Sequence, residues 1–90
     1  MNDEAFESRR HAGRDEWAAG RPQAAAAVFR ALADARPAHA GVRVELGVAL
    51  SQAGDQTAAL VEFSRAVDLA PRDPFEQGLA TRHQFGQPGR

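Results

Sequence analysis

The stretch LGVALSQAGDQTAALVEFSRAVDLAP, from Leu46 to Pro71, constrains this chain more than any other. Val42, Leu46, Ala49, Leu50 and Ala53 fall at spacings that place their side chains on one face of an α-helix. Gly54-Asp55 interrupts the pattern, because glycine accepts the left-handed backbone that ends a helix and the aspartate can cap the next one. A second stripe follows with Ala59, Phe63, Ala66, Val67 and Ala70, and Pro71 stops it. So short a connector forces an antiparallel hairpin. Gly47 and Ala59 are the small residues on the facing stripes and mark the expected point of closest approach.

The same punctuation occurs 34 residues earlier, where Gly13, Gly20, Ala25, Phe29 and Pro37 are in register with Gly47, Gly54, Ala59, Phe63 and Pro71. The earlier copy is weaker, with Ala12 and Glu16 in place of Leu46 and Leu50, and Leu32 in place of Ala66. A period of this size marks a stacked helical repeat, whose units bury their apolar faces against one another.

In these residues the chain resembles the tetratricopeptide repeat family. The family's pattern of Leu-Gly, a large residue, Gly, Ala, an aromatic, Ala and Pro is met by Leu46-Gly47, Leu50, Gly54, Ala59, Phe63, Ala66 and Pro71. The resemblance implies repeats at 6–39 and 40–73, in an all-α, short solenoid of antiparallel hairpins. It also implies a noncatalytic module whose first helices line a concave groove for an extended peptide or a partner helix. On that reading Arg10, Arg14 and Trp17 line the groove from the first copy and Val44, Val48, Ser51 and Gln52 from the second, with Arg82 contributed by a capping helix. Family members that clamp a C-terminal carboxylate need polar groups where Val48 and Gly78 stand, so a mixed apolar and basic groove is expected instead.

The flanking segments complete a single domain over 1–85. Asn2 is placed to cap a first helix running to Ala19, with Asp3 and Glu4 at its positive end. Gly13 is expected to weaken that helix by about 1 kcal/mol relative to alanine. Pro22 suits the first turn of a second helix ending at Arg36. After Pro71, Asp73-Pro74-Phe75-Glu76 reads as a capped helix start, so a fifth helix over 74–85 is expected to cover the last hairpin. Residues 86–90 have the composition of a mobile tail.

Composition narrows the function. Eleven arginines against twelve acids leave a formal charge of −1, which gives no bulk attraction for nucleic acid or an anionic membrane. With no cysteine there is no disulfide, thiolate metal site or cysteine nucleophile. Ser8, Ser51 and Ser64 have no neighbouring triad partners, His11, His39 and His83 lack metal-site spacing, and no phosphate loop occurs. Neither enzymatic activity nor a cofactor is expected. A charged N-terminus and the lack of a membrane-length apolar run suggest the cytoplasm. Abundant alanine and arginine without lysine suggest a GC-rich bacterial genome.

Val44 and Val48, one turn apart, face away from the Leu46 stripe. Either the first and fifth helices cover them, or they form an exposed apolar groove. Arg10 and Arg14, also one turn apart, could hold a carboxylate. Trp17 is either an aromatic anchor for a partner or the cover of a thinly apolar helix. The expected partner is a protein or peptide with an acidic group. Two repeats are few for an array, so self-association through the same valines or an exposed end is the alternative.

Overall fold

The computed structural model describes residues 1–69. Among these the chain forms four α-helices: α1 Asp3–Ala18, α2 Pro22–Ala35, α3 Ala40–Gln52 and α4 Gln56–Leu69. The all-α architecture agrees with the sequence reading, but four helices are seen where five were expected. The expected helix over 74–85, with Arg82 in it, and the tail 86–90 lie outside the described residues. α1 packs on α2, α2 on α3 and α3 on α4, so two hairpins stack through α2 and α3.

The helix ends follow the local chemistry. Asn2 Oδ1 accepts the Ala5 N–H at 2.8 Å and caps α1. Gly20 and Gly54 adopt φ of +82° and +93°, the left-handed backbone that closes α1 and α3. Asp55 Oδ1 accepts the Ala58 N–H at 3.1 Å and opens α4. α3 opens differently, because His39 Nδ1 accepts the Val42 N–H at 3.2 Å. The His39 imidazole also packs against Phe6, with ring centroids 5.1 Å apart, and Arg36 lies over Phe6 at 4.2 Å. These contacts fasten the first turns of α1 to the corner between the hairpins.

Phe6, Ala25, Phe29, Leu32, Ala33, Val42, Leu46 and Ala49 form one buried core across α1, α2 and α3. A glycine in each hairpin seats an aromatic ring. At Gly13 of α1 a Cβ would lie 2.7 Å from Phe29 Cζ. Likewise Gly47 makes room for the Phe63 ring, since its Cβ would lie 2.5 Å from Phe63 Cε1. Along α4 the apolar stripe ends short of Val67, which is 69% exposed because α3 covers the Ala59 and Ala66 side of the helix.

Candidate interaction face on α1 and α3

The first turns of α3 bring an acid into the arginine row of α1. Glu45 accepts from Arg10 Nε at 2.8 Å through Oε1 and from Arg14 Nε at 2.6 Å through Oε2. Its side chain is 10% exposed, so the carboxylate is nearly removed from water and each oxygen is met by a guanidinium. The pair of arginines does hold a carboxylate, and in this structure that carboxylate belongs to the chain itself. Glu7 adds a weaker contact to Arg10 Nη1 at 3.3 Å. Burial by itself would lower the pKa of Arg10, but the hydrogen bond and charge of Glu45, with help from Glu7, outweigh it and raise the value. Arg10 therefore stays charged throughout the working range.

The two arginines are not equally committed. Arg10 has 16% of its side chain exposed, whereas Arg14 has 40%, and among the described residues only its Nε is hydrogen-bonded. Among the described residues, the nitrogens of Arg14 beyond Nε have no acceptor. Gly41, one turn before Glu45, leaves room for Arg10: a Cβ there would lie 3.3 Å from Arg10 Nη2.

The other sequence-predicted residues separate into two groups. Val44 is 43% exposed and Val48 half-buried, so α1 does not cover the outer face of α3. Gln52 is exposed at the end of α3. Trp17 is instead turned inward, packing on Phe29 with ring centroids 5.3 Å apart. Ser51 is tied to the connector, donating to Gln56 Oε1 at 3.0 Å while Gln56 Nε2 donates to its carbonyl oxygen at 3.2 Å. Val44 and Val48 are thus the outward apolar side chains of α3, and Arg10 and Arg14 of α1 reach that helix through Glu45.

Sequence reasoning missed Glu45 and its counterpart Glu62. Glu62 in α4 is 6% exposed at its side chain and bonds Arg43 Nη1 of α3 at 3.0 Å. Arg43 Nη2 also donates to the Pro37 carbonyl oxygen at 3.3 Å, while its buried Nε has no partner among the described residues. A usable signal was present. Glu45 lies three residues after Val42 and four before Ala49, and Glu62 lies three after Ala59 and four before Ala66, so each acid sits on its helix's buried stripe.

Stacked hairpins with a glycine seating an aromatic ring in each, joined through the first helix of the second pair, agree with a match to the tetratricopeptide repeat family over residues 11–74. The chain belongs to that family. No curated protein and no solved structure matches it. Tetratricopeptide repeats generally mediate protein–protein interaction, and their fold is generally noncatalytic. Among the described residues there is no group of acids and histidines able to hold a metal ion, and no helix is long and apolar enough to cross a membrane.

Proposed function

We propose that the α1–α3 face of this tetratricopeptide repeat chain docks a peptide or partner helix that offers an apolar side chain beside an acidic group. The exposure of Val44 carries the reading: an apolar side chain is held outward next to Glu45, whose ion pairs fix that part of the backbone. Half-buried Val48 extends the apolar strip by one turn. Arg14 supplies the charge, because its guanidinium is anchored at Nε yet substantially exposed. Arg10 is a bracing residue on this reading, as Glu45 and Glu7 already occupy it. Ser51 and Gln52 would border the far end, and Trp17 would act indirectly by holding α1 on Phe29. A cytoplasmic adaptor would suit such a surface.

Selection of a random peptide display library on the full chain tests this. Enriched sequences should pair an acidic residue with an apolar one, and Val44→Glu should weaken a synthesised winner at least about tenfold, or about 1.4 kcal/mol. Circular dichroism should show an unchanged helix content, because Val44 lies outside the core. Peptides that bind Val44→Glu as tightly as the unaltered chain would place recognition elsewhere. Self-association through the same valines would appear as a mass that rises with concentration and falls in Val44→Glu.

A further inference from the structure

The first repeat lacks two side chains that the second supplies at matching positions. In the second, Arg43 of α3 is paired with Glu62 of α4, and fully buried Leu46 follows one turn after Arg43. At the same register 34 residues earlier stand Arg9, Val28 and Ala12. The arginine is kept, but its acid has become valine and the leucine alanine. Ala27 and Ala31 likewise stand where the second repeat has Val61 and Arg65, and only Leu32, in place of Ala66, is larger. These six residues of the first repeat line a cavity of about 330 Å³ between α1 and α2. Arg9, Ala12, Ala27 and Ala31 are exposed, so the cavity opens to solvent.

We propose that this cavity binds a small apolar carboxylate, whose tail takes the place that Leu46 fills one repeat later and whose charge meets Arg9 as Glu62 meets Arg43. Among the described residues Arg9 makes no ion pair, so its guanidinium has a charge to offer. Every other lining residue is apolar. The missing leucine and the missing acid belong to two different helices of the second repeat, and no single amino-acid side chain carries both groups. One tailed carboxylate does. The volume sets its length, since about ten non-hydrogen atoms fit at the roughly 30 Å³ that a water takes in the liquid, the size of an eight-carbon acid. The site shares no residue with the α1–α3 face and does not depend on that face binding anything.

Titration of the full chain with octanoate, followed by amide NMR shifts, tests this. Octanoate should bind saturably, with shifts centred on Arg9, Ala12, Ala27 and Ala31, and at least about tenfold more tightly than octylamine or octanol. From butanoate to octanoate, affinity should rise about fourfold with each methylene buried. Val28→Glu gives the first repeat the acid of the second, and Ala12→Leu gives it the leucine, so each should weaken octanoate at least about tenfold with helix content unchanged. If Val28→Glu costs helix content, Arg9→Gln decides, because that site is exposed: it should reduce octanoate to the affinity of octanol. Shifts that do not saturate, or that centre on Val44 and Val48, would overturn the proposal. So would octanoate binding that survives both Ala12→Leu and Arg9→Gln.

Discussion

The two hairpins are built alike and covered differently. In each, a glycine on the first helix seats a phenylalanine from the second, Gly13 with Phe29 and Gly47 with Phe63. Yet Phe29 is fully buried and Phe63 half-buried, and the alanines of α2 are hidden where the larger Leu60 and Val67 of α4 are not. Residue type therefore does not decide burial here, because the more apolar copy is the more exposed. The neighbour decides it: α2 lies between α1 and α3, while among the described residues only α3 packs on α4.

Charge follows the same division. The second hairpin has an internal pair, Glu62 with Arg43, whose side chains are 6% and 12% exposed. The equivalent positions of the first hairpin are Val28 and Arg9, and its arginines reach across to Glu45 instead. Removing one partner of a buried pair leaves the other charge stranded. Glu62→Ala should therefore cost about 3 kcal/mol, because Arg43 Nε already has no partner among the described residues. Glu45→Ala should cost about 2 kcal/mol, since Arg14 can return to water. Urea denaturation of the full chain measures both, and the reverse order would mean that the bridge between hairpins matters more than the pair within one.

The helices, their connectors and the stacking were legible in the sequence because they depend on near neighbours: Gly20 and Gly54 end helices, Asn2 and Asp55 cap them, and apolar spacing marks the faces. The bracing of the α1–α3 face was not. Arg10 and Glu45 are 35 residues apart and Arg43 and Glu62 are 19 apart, so the stripe spacing marks the two acids as buried but does not say which arginines meet them. The N-cap role of His39 was hidden for a different reason: a histidine rarely stands in for Ser, Thr, Asp or Asn at that position.

The paired glycines sharpen what the hairpins share. Helix propensity alone makes Gly→Ala favourable by about 1 kcal/mol. The added Cβ would, however, meet Phe29 at 2.7 Å or Phe63 at 2.5 Å. Overpacking of this kind costs about 1–3 kcal/mol, so Gly13→Ala and Gly47→Ala should each lower stability by a net of about 1 kcal/mol. A gain in melting temperature at either site would show that the ring swings aside and that the glycine is not a seat. A gain at Gly47 alone would confine the shared mechanism to the first hairpin, where Phe29 has no room to move.

An exchange of residue types tests the difference between the hairpins most directly. Ala33 and Val67 occupy the same register, so exchanging their residue types asks whether position or neighbour sets the outcome. Ala33→Val inserts two methyl groups beneath α3 at a site with no exposure, and should destabilise by about 1–2 kcal/mol. Val67→Ala removes the same two groups. If α4 stayed uncovered in the full chain, that change would fall within about 0.5 kcal/mol of neutral, as surface substitutions do. A cost of about 1 kcal/mol, the value of apolar surface returned to water, would instead show that Val67 is covered in the full chain. Urea denaturation measures both exchanges, and equal costs for Ala33→Val and Val67→Ala would show that register position and not the neighbouring helix sets the outcome.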